Sequence, residues 1–272
     1  MGLSSALEAA RRAEAAGFGI FSVQDHLVPF PAHRPATESV PDPFAVLGAA
    51  AVATEGILLA SLVINTSLRH PAHIAKWAAT LSELSSGRFI LGLGSGGYAP
   101  DYVAAGVARP SRAERALLLE ATLRHLRGQW SEKADTPRPL PVPVPKILVA
   151  GNADTTLEIA ARHADLCNFA MLDEDALQRR IVRLSEYHTA AGSPRRCRVT
   201  LLTRVVAASS PDQAREKAKL KGARANLVGD TNTLERQLDV YQRSGVDAVF
   251  CMFDDEQSFD LFAALLARRS KY

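Results

Sequence analysis

This chain shows no long apolar run, no signal-peptide pattern and no disulfide framework. Its longest apolar stretch, Gly56–Ile64, is far short of the ~20 residues that a membrane-spanning helix needs. The N-terminus carries no basic-then-apolar signal pattern. Cysteine is scarce: Cys167, Cys197 and Cys251 are the three. They show no C-x-x-C spacing and read as buried reduced thiols, not as a redox pair or metal ligands. Charge of one sign is also missing. Thirty-two Lys and Arg stand against 29 Asp and Glu, a net of +3, with no basic stripe interleaved with aromatics. These absences argue against membrane and nucleic acid as partners and lead to the expectation of a soluble, cytoplasmic protein acting on a small molecule.

Several chemistries lack their residues. The seven histidines are scattered, and His70 and His73 share a helix start without a third partner at metal-ligand spacing. No G-x-S-x-G elbow accompanies a Ser-His-Asp order. A barrel lyase or isomerase would need a lysine or paired carboxylates at strand ends. Lys146 stands at a strand start, and Asp254-Asp255 is the one acidic pair suitably placed.

What is present is regular. An apolar content of 47% over 272 residues permits a substantial core without staples, and this length suits one large α/β domain spanning residues 1–272. Seven strand-like segments alternate with amphipathic helices: Gly19–Gln24, Ile57–Ile64, Phe89–Gly94, Lys146–Ala150, Asp165–Ala170, Arg198–Ala207 and Asp247–Phe253. Each ends in a short polar or glycine-rich sequence, among them Asp25-His26, Asn65-Thr66, Ser95-Gly96-Gly97 and Gly151-Asn152. Strand–helix alternation throughout predicts a parallel sheet, and this number of crossovers favours a closed TIM (β/α)₈ barrel. In such a barrel the residues just past the strand C-termini converge on one rim. Eight strands are needed, and the chain opens on a helix; the expectation is that the first strand is missing from the chain, with another segment filling the gap as the alternative.

Helix signals fill the intervals. Ser5-Ala6-Leu7-Glu8 fits a capping box, Asp42-Pro43 an N-cap followed by an N1 proline, and Pro71 opens a helix stopping near Ser85-Ser86-Gly87. Ala113–Arg127 is the longest amphipathic segment. Further helices are expected near Thr155–His163, Glu174–Ala191, Asp212–Ala225 with Asn232–Ser244, and Gln257–Arg268. Trp130–Pro145, with five prolines, reads as a loop. Together with Leu27–Pro41 it is expected to shape a pocket.

The order of these segments resembles the luciferase-like monooxygenase family of flavin- and coenzyme F420-dependent oxidoreductases. The resemblance is carried by Ala15–Phe18 through Asp25-His26-Leu27; Leu68-Arg69-His70-Pro71; and Thr80–Arg88. Phe89–Gly97 (FILGLGSGG), Asp101-Tyr102, Arg115 with Glu120, Lys146–Asn152 (KILVAGN), Ala160–Asp165 and Ser244–Asp247 continue it. Each motif alone is weak; their succession over nearly the whole chain is specific.

The resemblance implies a barrel holding coenzyme F420 or flavin mononucleotide (FMN) at the strand C-termini, and a homodimer. Asp25-His26 with Leu27, Pro29 and Phe30 is closer to the F420-using members. On this basis Asp25 and His26 are candidate catalytic residues. Ser61, Leu62, Ser95, Gly96, Ala150, Gly151, Asn152 and Ala170 are candidate cofactor-binding residues. Histidine suits the role because its charge changes near neutral pH, so it can hydrogen-bond a ring or exchange a proton with substrate. An Asp-His pair also caps loops, and that alternative stays open. Ser61-Leu62 matches the place where relatives carry a non-prolyl cis peptide; an ordinary trans strand interior is the alternative.

Gly94-Ser95-Gly96-Gly97 lets backbone approach a ligand closely, or is simply a tight turn. Gly151-Asn152 leads into a helix and suits a phosphate beside free N–H groups. Arg115 matches a position near the phosphate region, with a surface ion pair to Glu120 as the alternative. Two departures stand out: Gly97 replaces the catalytic glutamate of the F420-using sugar-phosphate dehydrogenases, and Phe30 replaces their tryptophan.

The expected activity is F420-dependent hydride transfer to or from a small organic substrate. The alternatives are an FMN monooxygenase using reduced flavin and O₂, and a non-catalytic flavin-binding relative.

Overall fold

The computed structural model describes residues 3–29, 40–131, 143–192, 196–220 and 226–269. Phe30, most of Leu27–Pro41 and residues 132–142 of the proline-rich segment lie outside them. The chain gathers into two compact units. One comprises Met1–Glu14, Gly19–Ala150 and His163–Asp165; the other Ala15–Phe18, Gly151–Arg162 and Leu166–Tyr272.

In the first unit the elements run α1 (Leu3–Ala15), β1 (Ile20–Val23), α2 (Pro43–Ala53), β2 (Leu58–Ser61), β3 (Ile64–Asn65), α3 (Pro71–Leu84), β4 (Phe89–Gly94), α4 (Ala99–Ala104), α5 (Arg112–Gln129) and β5 (Lys146–Ala150). The strands pair in the order β1-β2-β4-β5, all parallel, with β3 also on β4. β4 is buried along its whole length, as a strand covered on both faces must be, and so its sequence is a continuous apolar run. Leu59, Ile64, Leu91, Leu93, Ile147 and Leu148 form the centre of this core.

Two ionic side chains fix the turn from α2 into β2. Arg88 donates to the carbonyls of Ala51, Thr54, Ile57 and Ser85 and to the Thr54 hydroxyl, spending its five-donor fork. Glu14 accepts from the backbone N–H groups of Glu55, Gly56 and Ile57 at 2.9, 2.7 and 2.9 Å. Those bonds, Ile57 and Gly56 foremost, hold its carboxyl below the ordinary range.

The second unit runs α6 (Asp154–His163), β6 (Leu166–Ala170), α7 (Glu174–Ala190), β7 (Arg198–Ala207), α8 (Pro211–Leu220), β8 (Leu227–Gly229), α9 (Thr231–Arg243), β9 (Ala248–Phe253) and α10 (Glu256–Arg269). The ten-residue β7 is its spine. β6 pairs along Arg198–Leu202, β9 along Thr200–Val205, and β8 along Val205–Ala207. Phe18 packs on Phe253, Phe259 and Phe262 at ring separations of 5.3–6.0 Å. Lys217 of α8 reaches the Ala207 carbonyl, Asp255 and Gln257, closing the end of β7.

Two aspartates repeat one device. The Asp247 N–H donates to the Val199 carbonyl at 2.8 Å, and the Asp247 carboxylate accepts from the Val199 N–H at 2.8 Å. Asp165, in the first unit, does the same to Ile147. An acid just before a strand thus locks register to its neighbour, which gives a structural meaning to the -Ala-Asp- and -Val-Asp- motifs.

All seven expected strand segments are strands, and the proline and aspartate helix starts at Asp42-Pro43 and His70-Pro71 are as expected. Four local expectations change. Ser5 lies inside α1, which already runs from Leu3. The segment Ile57–Ile64 is two strands, because β2 pairs with β1 only as far as Ser61 and β3 then resumes on β4. β8 is an additional strand in a stretch expected to lead from one helix to the next. The six-residue α4 had no periodic signal, being too short to show one. Among the described residues no helix is long and apolar enough to cross a membrane.

Candidate functional site

The ends of β1, β3 and β4 meet in the first unit through backbone bonds and two aspartates. Asp25 follows β1 and is 7% exposed. Its carboxylate accepts from the Asn65 N–H at 3.1 Å and, bidentately, from the Arg69 guanidinium at 2.7 and 3.2 Å. Arg69 also pairs with Asp42, the N-cap of α2, at 3.0 Å, and lies over Trp77, which stacks on Phe44. Desolvation acts to lower the Arg69 pKa, and the two aspartates outweigh it, leaving the guanidinium more firmly charged. Asp25 was expected to be catalytic. Both of its oxygens are engaged and it has almost no exposure, so its carboxylate ties the β1 end to Asn65 and Arg69.

His26 is partly exposed and points Nδ1 at Asp101 Oδ2, 2.8 Å away. Asp101, 2% exposed on α4, also accepts from the Leu27 N–H at 2.9 Å and weakly from the Val28 N–H at 3.4 Å. A buried carboxylate with these donors fixes the ring's orientation. In the neutral imidazole it fixes the tautomer too, with the proton on Nδ1. Tyr98 meets the ring edge-on at 5.3 Å. The imidazole is therefore held in one orientation by a buried carboxylate and by an aromatic edge.

The glycine-rich loop has a packing cause as well. At Gly96 the backbone is left-handed (φ 72), and a Cβ would fall 2.1 Å from Asn65 Oδ1 and 2.4 Å from the Tyr102 hydroxyl. At Gly92 a Cβ would sit 1.9 Å from the Ser61 carbonyl oxygen. Gly97 differs: among the described residues nothing lies within 4 Å of where its Cβ would be. So two of these glycines admit neighbouring chain, while Gly97 opens outward. Ser95 is partly exposed and its carbonyl accepts from the Ser67 hydroxyl.

The cis peptide expected at Ser61-Leu62 lies one bond later, at Leu62-Val63. The ladder explains the position: Ser61 still pairs with Val23, and the Leu62 N–H still bonds the Val23 carbonyl at 2.7 Å. The chain departs only after those bonds are made. Ser61 is wholly buried, its hydroxyl shared with the backbone of Gly92 at 2.9 and 3.0 Å, and Leu62 is buried too. Neither offers its side chain to a ligand. The partly exposed side chain is Val63, over Gly92 and Gly94.

Ala150 closes the first unit's β5 and is partly exposed. Gly151, Asn152 and Ala170 lie in the second unit. Gly151 adopts φ 151 against Thr156, a conformation open to glycine. The Asn152 amide exchanges two bonds with the backbone of Ala170, at 3.0 and 3.1 Å, extending the strand edge with a side chain. Those groups are spent on each other. Arg115 does not pair with Glu120, which stands 3.3 Å from His163. A spacing of five residues turns the two away from each other. Arg115 is buried, bonded to the Pro110 carbonyl, with its Nε lacking a partner.

Sequence reasoning overlooked Asp101, Arg69 and Val63 as members of the site. Arg69 and Asp101 stood only as carriers of the resemblance, with no role, because Asp101 reaches His26 across 75 residues through a helix too short to show a period. Among the described residues no cluster of three potential metal ligands occurs.

Comparison with known proteins identifies the family and the fold. A family model described as luciferase-like monooxygenase matches residues 1–263. An F420-dependent glucose-6-phosphate dehydrogenase of Beutenbergia cavernae is 33% identical over 168 residues, 56% of this chain and 48% of the relative. An uncharacterized protein of Mycobacterium tuberculosis is 32% identical over 184 residues, 58% of this chain and 64% of the relative. The matches thus span about half to two thirds of these relatives' length. Among solved structures, an F420-dependent secondary alcohol dehydrogenase in complex with an F420-acetone adduct aligns at a TM-score of 0.83 and 18% identity. It covers 97% of this chain and 94% of that one. A monooxygenase from Streptomyces bottropensis aligns at 0.79 and 21%, covering 98% and 93%. The chain belongs to the luciferase-like monooxygenase family, and its fold is α/β, of the TIM-barrel class.

Proposed function

We propose that this member of the family is an F420-dependent oxidoreductase that transfers a hydride between the deazaflavin and a small organic substrate. The observation that carries the reading is the His26–Asp101 pair at the strand ends, beside a glycine loop whose outer member, Gly97, faces open space. The identity shared with an F420-dependent dehydrogenase inclines the cofactor toward F420.

The residues fit a flat ring. Val63 offers a partly exposed apolar surface that the bare Cα atoms of Gly92 and Gly94 make possible. Backbone at Ser95–Gly97 can approach ring heteroatoms without side chains intervening. The bound deazaflavin supplies hydride chemistry. His26 holds the proton that substrate gives up or receives as the hydride moves, with Asp101 setting its tautomer and Asp25–Arg69 holding the strand end beneath it. No acidic side chain stands at Gly97, so a substrate needing a second acid there, such as a sugar phosphate, is not proposed.

Fluorescence titration of the purified chain with F420 and with FMN, followed by hydride transfer from a panel of small alcohols and to enones, tests this. Saturable F420 binding and turnover lost on His26→Ala are the expected results. Tight binding of FMN alone would replace the reading with a flavin monooxygenase, and binding of neither would leave a non-catalytic relative.

We also propose that the chain acts as a homodimer through α2 and α3. α2 has no polar side chain at all, yet Ala45 is exposed, Val52 is 74% exposed, and Leu84 of the adjoining α3 is 46% exposed. Lys76 and Glu83, exposed two turns apart on α3, match each other's charge across an antiparallel two-fold.

A further inference from the structure

α4, which carries Asp101, belongs to a loop that a guanidinium closes. The helix ends at Gly106, whose left-handed backbone (φ 69) accompanies bonds from the Gly106 and Val107 N–H groups to the Val103 and Tyr102 carbonyls, both at 3.1 Å. The chain then turns back, and Arg109 Nη2 donates to the Gly97 carbonyl at 2.7 Å. Arg115, buried on α5, donates to the Pro110 carbonyl, so the residue after Arg109 is pinned as well. Gly97 precedes Tyr98, whose ring meets His26 edge-on. One short loop thus carries the carboxylate that holds His26, the ring beside it, and a cation at its mouth.

The surroundings of that cation decide what it can hold. Arg109 is exposed, and among the described residues its one bond goes to a neutral carbonyl. The acids nearest in sequence are spent elsewhere: Asp101 on His26 and the Leu27 N–H, Glu114 on the Ser111 N–H at 2.7 Å, its half of a capping box. One N–H of Nη2 is used, which leaves a complete two-donor edge of the fork without a protein acceptor among the described residues. A planar carboxylate matches such an edge with two parallel bonds. Gly97 keeps the edge unneutralised, because an acidic side chain at that position would itself pair with the guanidinium bonded to its carbonyl.

We propose that Arg109 determines specificity at the His26 site by selecting a substrate that carries a carboxylate. The proposal rests on the oxidoreductase reading for its chemistry and names the substrate class: a hydroxy acid, held by its carboxylate at Arg109. Its oxidation to the oxo acid delivers the carbinol C–H electron pair as hydride to the deazaflavin and the hydroxyl proton to His26, and leaves the carboxylate unchanged. A neutral alcohol gains nothing from Arg109, and an amine meets like charge.

The test compares lactate, β-hydroxybutyrate and δ-hydroxyhexanoate, which set the carboxylate at increasing distance from the carbinol, with their methyl esters on the F420-loaded chain. At the best length the acid is expected to exceed its ester by about tenfold or more in kcat/KM, chiefly through KM, as a charge-assisted pair requires. Raised salt narrows that ratio, since the guanidinium is exposed. Arg109→Gln is expected to bring the ratio to within about twofold of one, and Arg109→Lys, which keeps the charge and loses the fork, to leave it between the two. An arginine that only closes the α4 loop would lower acid and ester alike and leave their ratio untouched. A ratio near one at every length, or a ratio unchanged in Arg109→Gln, would overturn the proposal. The same acids are titrated against the cofactor-free chain while the Arg109 Nε–H NMR signal is followed, and a saturable shift is expected. Absence of all F420 turnover defeats the oxidoreductase reading, and this signal then decides on Arg109 separately: movement supports the carboxylate site, and none overturns it.

Discussion

Replacing Asp101 by asparagine changes one oxygen for an NH₂ group and nothing in volume. The asparagine oxygen can keep the bond from the Leu27 N–H, now at 2.9 Å, while its NH₂ faces His26 Nδ1, now 2.8 Å from a carboxylate oxygen. A donor there turns Nδ1 into an acceptor and moves the imidazole proton to Nε2. The lost charge-assisted bond costs about 1.5–3 kcal/mol of stability. The kinetic effect is larger, because the ring now carries the wrong tautomer. In the Ser-His-Asp template the same isosteric change lowers kcat about 10⁴-fold, and general acid–base assistance alone is worth about 10²–10⁴. Hydride transfer should therefore fall by about 10²-fold or more. F420 affinity should change less than about twofold, since Asp101 touches His26 and backbone and is not placed against the ring. Stopped-flow reduction gives the rate, fluorescence titration the affinity, and nitrogen NMR the tautomer. An unchanged rate with a flipped tautomer would refute the assignment of proton transfer to His26. A parallel loss of rate and affinity would make Asp101 merely structural.

Three further outcomes follow from the geometry. Glu14→Gln removes a carboxylate whose pKa is depressed by three backbone donors; its contribution is present above the ordinary carboxylate range and fades as pH falls through the lowered value. The difference in melting temperature between parent and variant should accordingly narrow from about pH 7 to about pH 3, and a constant difference would contradict the account. Gly92→Ala puts a Cβ 1.9 Å from the Ser61 carbonyl, backbone against side chain with no flexible end to yield; a loss of about 3 kcal/mol or more is expected in urea denaturation, and an unshifted midpoint would sink the packing argument. Val52→Asp should convert dimer to monomer by size-exclusion light scattering with little change in unfolding midpoint, whereas a parent that is already monomeric removes the interface.

Much of the architecture was legible because it is periodic. β4 and β7 announce themselves as apolar runs, and Asp42-Pro43 and Pro71 mark helix starts whose chemistry is local. The candidate site was legible only in part. His26 stood out as a titratable group at a strand end, but Asp25 beside it turned out to be the anchor of Arg69. Ser61 and Asn152 were candidate ligand contacts because they match positions that the resemblance implies hold the cofactor. Their polar atoms are used within the fold, on Gly92 and Ala170, and a sequence does not show whether a hydroxyl or amide is already satisfied.

The sequence by itself determined that strands and helices alternate, where most of them begin, and that the chain resembles one family. The first two follow from side-chain period and capping, which act over a few residues. Only the tertiary structure decided that Asp101 holds His26, that Arg69 clasps Asp25 and Asp42, and that Val63 and not Ser61 is the partly exposed side chain at the strand end. Each of these depends on distances between residues far apart in the chain, set by how strands register and helices pack, and no local spacing records them.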